Sequence, residues 1–312
     1  MADALLRKIV LVVRQTRLDE LIARFNTVDQ ARFYIEHLGA DFSDYRVEHR
    51  TYGEAVAEAE VALSAFGRVQ RLDRRYLANF LFGRDDSIVV LGQDGLVANT
   101  LKYLVGQPVI GVNPEPRRWD GVLLPFTVPD LAKIVSEVLQ GRRPLKTVTM
   151  AEAALNTGQS LLAVNDLFIG PKSHVSARYQ ISVGDRQEQH SSSGIIVSTG
   201  LGSTGWLKSI YAGWAATTRQ LLGPPAVGAA DGAFPWDADF LHYAVREPFP
   251  SRTSQAELVI GRIAPHQSMR LVSQMPEHGV IFSDGIEADF LEFNSGTQAI
   301  IAVADRRGLL VA

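Results

Sequence analysis

Ile88-Val89-Val90-Leu91-Gly92-Gln93-Asp94-Gly95 is a short apolar run that empties into a turn carrying one carboxylate between two glycines. Four consecutive apolar residues read as a strand buried on both faces, as a parallel sheet requires. Past the turn, Leu96, Val97, Leu101 and Leu104 recur at helical spacing. The turn therefore joins the carboxyl end of a strand to a helix N-terminus, where unpaired N–H groups and the positive dipole end suit a phosphate. Asp94 adds an acceptor for a hydroxyl proton, so the two features together point to phosphoryl transfer. The same tetrapeptide also serves as a plain turn in which Asp caps the helix. It has neither the Gly-x-Gly-x-x-Gly spacing of a dinucleotide-binding turn nor the Gly-Lys-Ser/Thr of a Walker loop.

Working outward, the flanking sequence alternates strand and helix signals, the pattern of a parallel sheet covered by helices. An apolar first strand is expected at 8–13, helices at 18–25, 29–38 and 54–66, and a strand at 108–112. That last strand opens into a loop from Asn113 to Gly121 holding Pro114 and Pro116, so two strand ends carry loops where open α/β sheets bind ligands. After a helix at 128–139, Gly141-Arg142-Arg143-Pro144 reads as a linker, dividing the chain into 1–140 and 141–312. Beyond it, short β-rich runs at 146–150, 161–169, 178–183, 194–198, 256–260, 269–273, 280–283 and 298–303 predict an antiparallel β-domain. One helix, 203–222, interrupts them, and the Gly/Pro-rich stretch 223–235 reads as a lid or a spacer.

The 312 residues suffice for two domains, and 46% hydrophobic content supplies both cores. A formal net charge of -3 gives no global field for nucleic acid or an anionic membrane, so an anionic ligand needs a local cluster. The absence of Cys excludes disulfides and thiolate metal sites. Residues 1–8 lack the apolar core of a signal peptide and no run approaches a membrane span, so the expectation is a soluble cytoplasmic protein.

Two later segments carry more than packing. In Ala163-Val164-Asn165-Asp166-Leu167-Phe168-Ile169-Gly170, two polar residues with low strand propensity stand among apolar ones. They need partners, either a structural network or the hydroxyls of a polar ligand. In the segment Ser191 to Trp206, an apolar strand runs into a turn rich in glycines and hydroxyls. Ser203 or Thr204 is expected to cap the following helix, Gly200, Gly202 and Gly205 to admit a ligand to the backbone, and Trp206 to stack on an aromatic base.

The order of Gly92-Gln-Asp-Gly95, then Asn165-Asp166, then Gly194-Ile-Ile-Val-Ser-Thr-Gly-Leu-Gly-Ser-Thr-Gly-Trp206 resembles the ATP-dependent NAD kinases over most of the chain. Pro108-Val-Ile-Gly-Val-Asn113-Pro-Glu-Pro116, Asp166-Leu-Phe-Ile-Gly170 and Ser192-Ser-Gly194 are similar to the branch containing the mitochondrial NAD kinases. The resemblance implies an α/β N-terminal domain with a Rossmann-like parallel sheet, which handles ATP, and an antiparallel β-rich NAD-binding domain. It implies transfer of the γ-phosphoryl of ATP, or in some members of inorganic polyphosphate, to the 2′-hydroxyl of the NAD adenosine ribose. Asp94 then activates that hydroxyl. Gly92 and Gly95 bring backbone N–H groups to the phosphates, with Gln93 and Asn113 beside them. Asn165 and Asp166 hold ribose hydroxyls, and Ser198, Thr199, Gly202, Ser203, Thr204 and Trp206 line the adenosine pocket. Mg²⁺ is expected with ATP, and the family's habit implies a homodimer. Phosphate-neutralising cations are sought among Lys102, Arg117, Arg118, Lys172, His174 and Lys208.

Gln93 and Leu96 stand where the family more commonly has a second glycine and a threonine. Position 93 leaves two consequences open: a side chain there blocks a positive-φ backbone or the phosphate, or its amide donates to a phosphate oxygen. Two other functions share the resemblance, a non-catalytic NAD(P)-binding regulator and a lipid or sugar kinase of the same superfamily.

Overall fold

The computed structural model describes residues 7–223 and 232–312. Residues 1–6, read above for a signal peptide, and residues 224–231 of the expected lid or spacer lie outside them. The chain forms two compact units, one of Met1–Lys146 with Leu309–Ala312, the other of Thr147–Gly308. The division thus falls six residues past the expected position, because Arg143 and Pro144 belong with the first unit: they bond the carbonyl and the N–H of Ala312.

In the first unit, β1 (Lys8–Val13), β2 (Arg68–Asp73), β3 (Ser87–Leu91) and β4 (Pro108–Asn113) form a parallel sheet in the order β2-β1-β3-β4. A two-residue strand β5 (Phe126–Thr127) and, further along, Leu309 and Leu310 also pair with β4 in parallel. Helices α1 (Arg17–Phe25), α2 (Val28–His37), α3 (Ser43–Ser64), α4 (Asp94–Leu101) and α5 (Leu131–Leu139) connect the strands. One face of the sheet, with Ile9, Leu11, Val89 and Ile110, packs against Val56, Ala59 and Leu63 of α3 and Leu131 and Ile134 of α5.

Two elements differ from the sequence expectation. Helix α3 starts at Ser43 rather than 54, and its first half buries Glu48, which is 2% exposed, and Tyr52. Glu48 accepts from Arg14 Nη2 at 2.9 Å and Arg17 Nε at 2.6 Å, so the charge is matched from other elements and the apolar periodicity is interrupted. Strand β2, Arg-Val-Gln-Arg-Leu-Asp, has one neighbour among the described residues, β1, and its sequence lacks the continuous apolar run of a central strand. Glu48→Gln is expected to destabilise the fold by about 2 kcal/mol, because a largely buried Arg14 loses its counter-charge. The urea midpoint should fall at constant m-value; an unmoved midpoint would show that the pair adds nothing to stability.

The second unit is a β-sandwich. Its strands are β6 (Leu145–Leu155), β7 (Ser160–Ala163), β8 (Asp166–Pro171), β9 (Ala177–Val183), β10 (Arg186–Ser192), β11 (Ile195–Ser198), β12 (Leu241–Val245), β13 (Ile260–Ile263), β14 (Met269–Ser273), β15 (Gly279–Ser283), β16 (Ile286–Glu292) and β17 (Gln298–Val311), with α6 (Trp206–Leu222) after β11. One sheet runs β13-β12-β11-β8-β15-β16, antiparallel throughout. The other holds β10-β9-β14-β17, with the β6–β7 hairpin added through β6. Leu167, Ile169, Val197 and Ile281 of the first sheet meet Tyr179, Ile181, Leu271 and Ile301 of the second in the core. The outer face of the first sheet, with Phe168, Ile196 and Val280, is covered by Trp206 and Ile210 of α6.

The expected strand 161–169 is broken into β7 and β8 at Val164-Asn165, so Asn165 is not mid-strand. The strand expected at 256–260 begins at Ile260, while β10, β12 and β16 fall outside the expected runs. No helix among the described residues is long and apolar enough to cross a membrane.

Candidate functional site

In the first unit, the ends of the parallel strands place the Gly92–Gly95 turn. Tyr52 of α3 ties two of these ends together: its hydroxyl donates to Leu91 O at 2.8 Å and accepts from Arg14 N at 2.9 Å. Burial pushes the phenol up to about 12, so it stays a neutral brace. Gln93 has φ -113 and ψ 162, extended backbone open to any residue, so its side chain imposes no left-handed strain. It is the N-cap of α4, and its side chain makes no capping bond. The space beside Gly92 is filled by the turn's own Leu96, whereas Gly95 has open space around it, so Gly95 is the glycine available to an incoming group.

Asp94 is the first residue of α4, and its carboxylate does not cap that helix. Oδ1 accepts from Leu123 N at 2.7 Å and Oδ2 from Val122 N at 3.3 Å, which pins the 121–124 turn. A carboxylate has about four lone-pair sites, so two remain for a hydroxyl or a metal ion. Gly111 of β4 makes this closeness possible, since a Cβ there would collide with Leu123 O. Asn113 is committed elsewhere: Nδ2 donates to Trp119 O at 2.9 Å and Oδ1 accepts from Glu115 N at 3.0 Å. It shapes the 113–121 loop through these two bonds.

Arg118, one of the cations sought near the turn, donates to Asp44 at 2.7 Å, and Asp44 also accepts from Arg17 at 2.6 Å. The hydrogen bonds from Arg17 and Arg118 hold the Asp44 carboxyl below its usual range. Glu48 is likewise lowered: burial pushes it up, but bonds from Arg17 and Arg14 outweigh that. Burial opposes the Arg17 charge and those same acids raise its pKa, so all of these groups stay ionised around the strand ends.

In the second unit, the break at Asn165 is surrounded by hydrogen bonds. Asp284, in the β15–β16 turn with φ 54, accepts from Asn165 N at 2.6 Å, Val164 N at 3.1 Å and Asp166 N at 3.4 Å. Asp166 is 7% exposed, and burial, then the charge of Asp284, pushes its carboxyl up to about 7. Asp166 therefore holds a proton on the border of neutrality.

The hydroxyls of the Gly-rich turn turn inward. Ser198 Oγ donates to Thr199 O at 3.0 Å, Thr199 Oγ1 to Val164 O at 2.5 Å, and Ser203 Oγ to Gly200 O at 2.7 Å. Ser203 and Thr204 do not cap α6, whose N-cap is Gly205. Gly200 and Gly202 are glycines because their own chain approaches: a Cβ would collide with Pro235 O and Asn165 O respectively. Thr204 and Gly205 are exposed, and of the three glycines Gly205 alone has room beside it.

Trp206 lines a cavity of about 630 Å³ that sequence reading did not find. Its ring stacks on Phe168 at 5.8 Å and 5°, and Phe168 stacks on Phe282 at 4.8 Å. Arg246 lies over Trp206 at 5.5 Å and Lys172 over Phe290 at 3.4 Å. Lys172 and His174, both named as candidate cations, line this cavity. Aromatic walls with Lys172, His174 and Arg246, and with Glu287 as the acid of the lining, suit a planar ligand bearing negative charge. Lys102 is buried, and Arg117 and Lys208 are exposed. The predicted site residues thus gather in two places: 92–95 and Asn113 in the first unit, and 165–166 and 198–206 in the second.

No family model matches the chain. A NAD kinase of Chlorobaculum tepidum is 28% identical over 127 residues, 40% of this chain and 44% of that protein. The chain thus matches under half the length of this curated relative. A crystal structure of an NAD kinase from Archaeoglobus fulgidus in complex with ATP superposes with a TM-score of 0.56 at 16% identity, covering 98% of this chain and 93% of that one. The structure of yeast NADH kinase complexed with NADH gives a TM-score of 0.57 at 16% identity, covering 98% and 83%.

Proposed function

We propose that this chain, which has the fold of the NAD kinase family, transfers the γ-phosphoryl group of ATP to the 2′-hydroxyl of the NAD adenosine ribose, giving NADP. The observation that carries this reading is Asp94: an anchored carboxylate with unused lone pairs, at the carboxyl end of a parallel strand and beside the open Gly95. A ribose hydroxyl is a weak nucleophile near neutral pH, and a carboxylate within hydrogen-bond reach accepts its proton as the bond to phosphorus forms. Anchoring by Leu123 N holds the carboxylate in place before substrate arrives. The second unit supports the dinucleotide half of the reading through Asp166, the Asn165 amide and the Trp206 cavity.

Among the described residues, no three His, Asp or Glu side chains gather as a metal cage. Mg²⁺ would arrive with ATP, whose phosphate oxygens supply most of its ligands, with Asp94 able to add one. The ion would neutralise charge on the phosphates while Asp94 handles the hydroxyl.

The test is the purified chain with Mg-ATP and either NAD or NADH, read by an NADP-specific cycling assay. NADP or NADPH should accumulate with stoichiometric ADP. Dinucleotide binding with no ADP release would point instead to a binding regulator, and ADP release only with a lipid or sugar acceptor would point to a different kinase.

A further inference from the structure

A second cavity, of about 320 Å³ and wholly within the first unit, is lined by Arg14, Arg17, Arg74, Arg75 and Arg118, with three acids, and Gln93 opens on it. Its position follows from the sheet order. Strands β2 and β3 flank β1 on opposite sides, so the chain reverses direction between β1 and β3, the switch point at which open α/β sheets bind ligands. Arg14 and Arg17 follow β1, Arg74 and Arg75 follow β2, Gln93 follows β3 and Arg118 follows β4. Every cation of the cavity therefore comes from the carboxyl end of a parallel strand.

The lining is also chemically distinctive. Small-molecule sites are mostly apolar with a few polar groups; five of the eleven residues lining this one are arginines. Five positive charges face three negative ones, and two of the acids are engaged, Glu48 by Arg14 and Arg17 and Asp73 by Arg75 at 3.0 Å, while Glu20 is the third. Each arginine has five N–H donors in a planar fork, and Arg17 spends only Nε and Nη2 on the acids. Arg14 Nε is buried with no acceptor at all. Forks held in fixed planes by carboxylates, with donors left over, match the oxygens of a phosphate chain. A volume at the lower end of the ligand-site range suits that chain rather than a base and sugar as well.

We infer that this cavity is a subsite for an oligophosphate chain, contacted by Arg17, Arg74 and Arg75, with the Gln93 side chain as a neutral donor to it. This deepens the kinase reading and rests on it for the chain's origin, which is either a nucleoside triphosphate tail or inorganic polyphosphate. Gln93 then has a purpose: its amide adds a donor where the more common glycine has none.

The test uses the full chain and inorganic tripolyphosphate as probe, by titration calorimetry. Tripolyphosphate should bind, compete with ATP and not with AMP, and weaken with salt. Arg17→Gln and Arg75→Gln, both partly exposed and so tolerable to the fold, should each weaken tripolyphosphate binding about tenfold, one charge-assisted contact apiece. The double variant with a native melting temperature and unchanged affinity would overturn the subsite, as would no binding to the wild type. The two proposals fail separately. Tripolyphosphate binding by a chain that makes no NADP keeps the subsite and removes the reaction. NADP formation with a donor KM unmoved in the double variant removes the subsite and keeps the reaction. If ATP and tripolyphosphate both serve as donors, the arginines read the phosphates alone; if ATP alone does, the nucleoside is held elsewhere.

Discussion

Replacing Asp94 with Asn is expected to lower the rate of NADP formation by about 10²–10⁴-fold, the range over which a positioned general base contributes. The substitution keeps an oxygen for the 2.7 Å bond from Leu123 N and loses the longer one from Val122 N. Folding should therefore suffer by only about 1 kcal/mol. The measurement is kcat for NADP formation alongside the melting temperature. A variant that turns over within tenfold of the wild type would reduce Asp94 to an anchor for the 121–124 turn.

Asp166→Asn is expected to stabilise the chain in mildly alkaline solution while weakening dinucleotide binding. Burial, then the Asp284 charge, raises the folded carboxyl to about 7, above its unfolded value of 3.8. Below the unfolded value both states are protonated and the group contributes nothing. Between about 4 and 7 the unfolded chain gives up the proton and the folded chain keeps it, so stability falls as pH rises. Above that window the penalty is constant, on the order of 2–4 kcal/mol. Asn removes it, so the variant should melt about 5–10 °C higher at pH 8 and unchanged at pH 4. An equal shift at both pH values would assign the effect to packing rather than to ionisation. Under the proposed function, a ribose hydroxyl donating to the ionised carboxylate would relieve this same penalty.

The strand, turn and helix around Asp94 were legible because an unbroken apolar run and the glycines around Asp94 occur within one short stretch. Helix α3 was not legible from Ser43, since Glu48 on its buried face is matched by Arg14, just after β1, and Arg17 of α1. Strand β10 was hidden for a similar reason: its inward residues are His190 and Ser192, satisfied by Tyr179 and Glu188. Ser198, Thr199 and Ser203 looked like ligand groups because sequence records a hydroxyl but not its direction. In the fold they supply bonds for a turn with few backbone partners. The arginine cavity left no local signal, because its members are scattered from residue 14 to residue 118 and only the strand order unites them.

The pairing of Leu309 and Leu310 with Pro108 and Val109 sets an order of events during synthesis. Nearly all of the first unit emerges from the ribosome before the second, yet at those two residues β4 lacks its partner until Leu309 and Leu310 are made. Throughout elongation of the β-sandwich, that part of β4 presents unpaired N–H and C=O groups. The first unit is thus completed only after the second has been made.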